Sequence, residues 1–184
     1  MTTEFHLPVT GPFAALILGG ARSGKSRYGE NLVTQANGKF VYVATAEARD
    51  DEMAERIAHH QDRRGHNWRL IEEPLGLSGV LQDQVGEDDI VLVDCLTLWL
   101  SNLMERQIDI AAASAELLDA VKPCPARLVF ISNEVGQGIV PDNAMARQFR
   151  DAAGRLHQML AADFDAVIAV MAGLPLVLKA PQQG

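Results

Sequence analysis

Residues 19–26 read Gly19-Gly20-Ala21-Arg22-Ser23-Gly24-Lys25-Ser26 and directly follow the apolar run at 14–18. The spacing is G-x-x-x-x-G-K-S, and it suits phosphate chemistry. Gly19 and Gly24 permit backbone angles and close approach that a side chain would block. A turn of this kind aims its N–H groups, and the N-terminus of the helix it opens, at an anion. Lys25 reaches the β- and γ-phosphates of a nucleoside triphosphate, and the Ser26 hydroxyl ligates Mg²⁺. The plain alternative is a glycine-rich surface turn beside an incidental lysine. The strand-like run before the motif and the helix-compatible stretch after it favour the phosphate reading.

Three further groups of residues carry chemistry. Asp94 ends the hydrophobic run at 90–93. A strand-terminal acid there binds Mg²⁺, directly or through water; the other role open to it is to cap the helix beginning near Cys95. In the segment 50–64, Arg56, His59 and Arg63 fall at i, i+3 and i+7. On a helix this is one stripe of two guanidiniums and an imidazole. Arginines orient a phosphate, and a neutral imidazole serves as nucleophile or base. His60 points about 100° away from His59, so the two have different roles. The competing reading is a solvated face laced with pairs such as Glu52–Arg56. A metal site built on His59, His60 and His66 lacks the i, i+4 pairing a helix needs. The stretch 132–143 holds two glycines, two acids and three amides between a buried strand and a long helix. It is either a substrate loop or a long turn whose Asp142 or Asn143 caps the next helix.

The elements that must position these groups follow from the hydrophobic pattern. Apolar runs without alternation at 14–18, 40–45, 90–94, 127–132 and 166–171 read as strands buried on both faces. Residues 68–72 and 174–178 read as short strands. Helical patterns cover 25–36, 50–64, 77–85, 96–104, 110–121 and 143–162. This alternation predicts an α/β fold: a three-layer, P-loop NTPase-type domain around a mostly parallel sheet, with ligands at the carboxyl ends of the strands. Residues 1–12 read as an N-terminal extension and 13–184 as a single domain. The chain has 184 residues, 48% of them hydrophobic and 22% charged, with a net charge of −8. The negative charge argues against nucleic acid or an anionic membrane as the main partner. No run has the length of a membrane span, and the first 13 residues lack the pattern of a signal peptide. Cys95 and Cys124 lie in or beside apolar segments and read as buried thiols in a cytoplasmic protein.

Taken in order, GGARSGKSR at 19–27, VYVATAEARDDEMAERIAHHQDRR at 41–64, WRLIEEP at 68–74, VLVDCLTLWLSNL at 91–103 and SNEVGQGIVPDNAMARQFRDAAGRLHQ at 132–158 resemble one family. It is the bifunctional adenosylcobinamide kinase / adenosylcobinamide-phosphate guanylyltransferase family of cobalamin biosynthesis. The resemblance spans nearly the whole chain, and HHQDRR joined to NEVGQGIVP is its most specific part. It implies an enzyme that phosphorylates the aminopropanol hydroxyl of adenosylcobinamide with ATP or GTP. It implies next the transfer of GMP from GTP to that phosphate through a GMP-histidine intermediate, with His59 as the catalytic residue. By the same resemblance, the nucleotide contacts fall on Gly19, Gly20, Ala21, Arg22, Ser23, Gly24, Lys25 and Ser26, on Ala44, Thr45 and Ala46, on His60, Gln61, Asp62 and Arg63, and on Glu72 and Asp94. Many relatives carry Glu at the last position; Asp is shorter by one methylene and keeps the charge. Ser26 and Asp94 are the expected Mg²⁺ ligands. The resemblance also implies a corrinoid substrate and a homotrimer. Two other readings of the residues are a P-loop kinase of a different small metabolite and a non-enzymatic nucleotide switch.

Overall fold

The computed structural model describes residues 5–47 and 67–181. The helix expected over 50–64, with Arg56, His59, His60, Gln61, Asp62 and Arg63, lies outside the described residues.

The elements in chain order are β1 (Phe13–Gly19), α1 (Lys25–Thr34), β2 (Lys39–Ala44), β3 (Trp68–Glu72), α2 (Leu77–Asp83), β4 (Asp89–Asp94), α3 (Leu96–Glu105), α4 (Ile110–Val121), β5 (Arg127–Asn133), α5 (Ala144–Asp163), β6 (Ala166–Met171) and β7 (Leu174–Lys179). One seven-stranded sheet has the order β3-β2-β4-β5-β1-β6-β7. All neighbours are parallel except β6 and β7, which form an antiparallel pair. The expected α/β architecture is therefore present, with an antiparallel hairpin at one edge.

The non-alternating strands are explained by two cores, one on each face. Leu16, Val91, Val93, Leu128 and Phe130 face a cluster completed by Leu81, Trp99, Leu117 and Leu156 from α2, α3, α4 and α5. Ile17, Leu92, Val129 and Ile131 face the opposite way, against Leu32 and Val33 of α1. The residues of the central strands β4, β5 and β1 thus point alternately into the two apolar layers, and each fully buried Leu or Ile contributes about 1.5–3 kcal/mol.

Helix ends follow local chemistry. Asp109 accepts from the N–H groups of Ala111 and Ala112 at the start of α4, and Asn143 accepts from Ala146 N–H at the start of α5. Asn143, not Asp142, is the residue preceding α5. α1 stops at Thr34, short of the expected residue 36. The Thr34 hydroxyl turns back to Glu30 O at 3.0 Å, and Ala36 N–H closes a tight three-residue turn onto Val33 O at 3.1 Å. α2 ends at Asp83, and Arg69 takes the Gln84 carbonyl at 2.8 Å.

Residues 5–12 pack at the amino ends of the strands, the end away from the phosphate loop. Leu7 is buried there and Phe5 lies against Phe13. Arg127, itself buried, donates to the carbonyls of Pro8, Val9 and Asn37 at 3.1, 3.1 and 2.6 Å. Three carbonyls satisfied by one guanidinium hold this segment on the sheet. Among the described residues, no helix is long and apolar enough to cross a membrane.

Candidate active site

The loop between β1 and α1 is a cradle that side chains would fill. Gly24 has φ +94°, and a Cβ there would sit 3.2 Å from Gly173 Cα. A Cβ on Gly19 would meet Ser23 Oγ at 2.4 Å and the Val170 carbonyl oxygen at 2.6 Å. The β6–β7 turn walls the loop from one side, with Gly173 N–H donating to Ser23 O at 2.8 Å. Lys25 is only 8% exposed, and its Nζ donates to Gly20 O at 3.2 Å, so the ammonium is folded over the loop. Ser23 Oγ is buried and has no hydrogen-bond partner among the described residues. An unpartnered buried hydroxyl and a buried lysine thus lie together in this loop.

Asp94 ends β4, and its register partner on β2 is Ala44, which in turn pairs with Glu72 at the end of β3. Glu72, Ala44 and Asp94 therefore stand side by side at the carboxyl ends of three adjacent strands. Glu72 is exposed and Asp94 half-buried. Asp94 does not cap α3, which begins without a side-chain cap. Its carboxylate accepts from the Tyr42 hydroxyl at 3.2 Å. Thr45 continues the row: its hydroxyl donates to Cys95 O and accepts from Cys95 N–H, both at 2.8 Å. Ala46 follows, half-buried, and Glu47 pairs with Arg106 at 2.6 Å. The loop residues and the 44–46, Glu72 and Asp94 positions thus gather at one end of the sheet. His59, His60, Gln61, Asp62 and Arg63 lie outside the described residues.

Ser26 and Asp94 have the hard oxygen donors that a small divalent cation takes. Among the described residues, no group of three or more His, Cys, Asp or Glu side chains is gathered for a metal. A cation held by Ser26 and Asp94 would complete its shell with phosphate oxygens and water, as Mg²⁺ does.

Cys95 is no nucleophile despite its neighbourhood. Burial, and then the charge of Asp94, push its thiol up to about 11. Iodoacetamide at mildly alkaline pH is expected to leave Cys95 unlabelled in the native protein and to label it in concentrated guanidinium chloride, read by peptide mass spectrometry. Equal labelling in both states would contradict this. Both cysteines are buried free thiols, as their apolar settings implied.

Several residues at this end gave no motif signal. Asn102 on α3 donates to Thr45 O at 2.8 Å and Pro74 O at 3.0 Å, tying the ends of β2 and β3 together. Trp99 donates to Leu75 O at 2.7 Å. His157 on α5 sits 2.7 Å from the Ser132 hydroxyl, and burial holds its imidazole below its ordinary pKa, opposed by the charge of Glu134. Glu134 itself accepts from Gly136 N–H and Gln137 N–H, so its carboxylate shapes its own loop. The signal for Thr97 and Asn102 is their polarity, with that of Ser101, within the largely apolar stretch LTLWLSNLM.

Residues 15–178 match the family described as cobinamide kinase / cobinamide phosphate guanyltransferase. The chain belongs to this family. It is 44% identical over 168 residues to the bifunctional adenosylcobalamin biosynthesis protein CobP of Pseudomonas aeruginosa, covering 89% of this chain and 96% of that one. It is 41% identical over 179 residues to the bifunctional CobU of Salmonella typhimurium, and 38% identical over 179 residues to that of Escherichia coli, covering 89% of this chain and 98% of each relative. Among solved structures, the flagellar accessory protein FlaH of Methanocaldococcus jannaschii superposes with a TM-score of 0.53 at 11% identity, over 94% of this chain and 80% of that one. A type III secretion ATPase superposes with a TM-score of 0.54 at 12% identity, over 91% of this chain and 58% of that one. These two likenesses concern the fold. As a member of the cobinamide kinase / guanyltransferase family, the chain is a bifunctional enzyme of the cobinamide pathway, and nucleoside triphosphates are its co-substrates.

Proposed function

We propose that this enzyme first moves the γ-phosphoryl group of ATP or GTP to the aminopropanol hydroxyl of adenosylcobinamide. It then places GMP from GTP on that phosphate by way of His59. The observation that supports this reading best is the phosphate cradle at 19–26, with buried Lys25 folded over it, beside the row Glu72–Ala44–Asp94 at the strand ends.

In guanylyl transfer an imidazole nitrogen of His59 attacks the α-phosphorus of GTP. The bond to the β-phosphate oxygen breaks, and pyrophosphate leaves with that electron pair. An oxygen of adenosylcobinamide-phosphate then attacks the same phosphorus, the P–N bond breaks, and adenosylcobinamide-GDP is released with the imidazole restored. Two easier displacements replace one hard step. Lys25 and the loop N–H groups stabilise the charge on the leaving pyrophosphate. Arg56 and Arg63, three and four residues either side of His59, clamp the α-phosphate. Mg²⁺, held by Ser26 and Asp94, would neutralise phosphate charge. The nucleotide contacts are completed by Ala44, Thr45 and Ala46, by His60, Gln61, Asp62 and Arg63, and by Glu72. Asp94 and Glu72 are the candidate bases for the kinase step. The corrinoid docks at this same end of the sheet. The exposed apolar side chains of Leu174, Leu176 and Leu178 on edge strand β7 support self-association, with three copies as the expected assembly.

His59→Ala separates the two reactions. With adenosylcobinamide, ATP and GTP supplied together, the variant is expected to accumulate adenosylcobinamide-phosphate at a rate within about fivefold of the parent. Formation of the GDP derivative should fall by about 10³-fold or more, the scale for loss of a nucleophile. Formation of that product at the normal rate would remove His59 from the mechanism.

A further inference from the structure

Strand β5 lies between β4, which ends in Asp94, and β1, which runs into the phosphate loop. Asp94 pairs with Ile131, so β5 runs two residues past the end of β4, and the side chain that ends it lies next to the start of the phosphate loop and just beyond Asp94. That residue is Asn133. It pairs in register with Gly19, and the next residue fixes the spacing, with Glu134 N–H donating to Gly19 O at 3.0 Å. Strand alternation places Asn133 on the same sheet face as Ile131, and Asp94 on the same face as Leu92. Both apolar residues belong to the layer covered by α1, the helix that begins with Lys25 and Ser26. The register thus brings Asn133, Asp94 and the start of α1 to one face at one end of the sheet.

The amide of Asn133 is held in place. Its Nδ2 donates to Thr97 Oγ1 at 2.8 Å, and its backbone N–H reaches the same oxygen at 3.4 Å. Thr97 is buried at the start of α3, and its hydroxyl also contacts Cys95 Sγ at 3.1 Å. One of the two amide N–H groups is thereby used. The other N–H and the carbonyl oxygen have no partner among the described residues.

We propose that Asn133 is a catalytic residue of the phosphoryl-transfer step and that Thr97 is its positioning residue. The second Nδ2–H of Asn133 donates to an oxygen of the γ-phosphoryl group in flight, and Oδ1 accepts from the incoming cobinamide hydroxyl. In that step the hydroxyl oxygen bonds to the γ-phosphorus. The bond from that phosphorus to the β–γ bridging oxygen breaks, the nucleoside diphosphate leaves with the electron pair, and the hydroxyl proton passes to the base, for which Asp94 and Glu72 are the candidates. An uncharged amide fixed in advance serves here because it orients both partners without adding repulsion between the phosphoryl oxygens and the site.

The test is steady-state phosphorylation of adenosylcobinamide by ATP in the full-length protein, which does not involve His59 and so stands or falls apart from the GMP-histidine reading. Asn133→Ala is expected to lower kcat by about 100-fold, the scale for losing one preorganised donor, with KM for ATP changed by less than about threefold. The near-isosteric Asn133→Asp should lose as much. Thr97→Val should lower kcat by about tenfold, Thr97→Ser should restore it, and Thr97→Val added to Asn133→Ala should cost nothing more. Binding of a non-hydrolysable ATP analogue and the melting temperature should stay near the parent values in Asn133→Asp. A kcat within about threefold of the parent in either Asn133 variant would overturn the proposal. A raised KM at unchanged kcat, or a loss that disappears when rates are scaled to folded protein, would do so equally.

Discussion

Lys25→Ala is expected to abolish both reactions, lowering phosphorylation and guanylyl transfer by about 10³-fold each. A lysine that is 8% exposed, with its ammonium 3.2 Å from a carbonyl, is a costly arrangement unless an anion completes it. Stability should move the other way: removing a buried charge from the ligand-free protein leaves the urea midpoint unchanged or raises it. Lys25→Arg should not rescue turnover, because a planar guanidinium does not fit the space of a compact ammonium. Product assays of each step and urea unfolding of the same preparations check this. A Lys25→Ala enzyme with normal phosphorylation would show that the loop does not hold the donor nucleotide.

Gly19→Ala should be nearly as damaging, for a steric reason. The added methyl would lie 2.4 Å from Ser23 Oγ and 2.6 Å from the Val170 carbonyl oxygen. The serine can rotate away. The carbonyl belongs to β6, an inner strand paired with both β1 and β7, and cannot. The strain is expected to cost about 1–3 kcal/mol of stability. By displacing the loop it should also weaken nucleotide binding more than tenfold, or about 1.4 kcal/mol. Gly20→Ala is the control, since a Cβ there meets nothing within 4 Å. Urea titration and fluorescent-nucleotide binding should therefore separate two adjacent glycines of the loop. Parent-like binding by Gly19→Ala would contradict the geometry.

How much of this was legible in the sequence depended on how local each cause is. The phosphate loop was readable because its constraints act within eight residues: angles at Gly24, closeness at Gly19, and a cation next to the helix start. The strands were readable because burial on both faces removes polar alternation. Asp94 stood out as an acid closing such a run. Thr97, Asn102 and Trp99 were not readable as site supports. Their partners Asn133, Thr45, Pro74 and Leu75 lie 36, 57, 28 and 24 residues away, brought together by crossovers whose order along the sheet no local pattern encodes. The same holds for Gly173, whose N–H closes the phosphate loop through a hairpin at the other end of the chain. Helix ends missed by a residue or two had local causes of another kind. The Thr34 hydroxyl competes for the Glu30 carbonyl, and Arg69 captures that of Gln84.

The central claim is that one phosphate-binding enzyme carries GMP covalently on a histidine. It is tested most directly by incubating the purified protein with Mg²⁺ and GTP labelled at the α-phosphate, then recovering the denatured protein. The account predicts label on the protein that is lost in acid, survives alkali, and is absent from His59→Ala, because a phosphoramidate on imidazole has that stability and no other residue here carries the nucleotide. Protein without label despite intact nucleotide binding, or label that persists in His59→Ala, would contradict it.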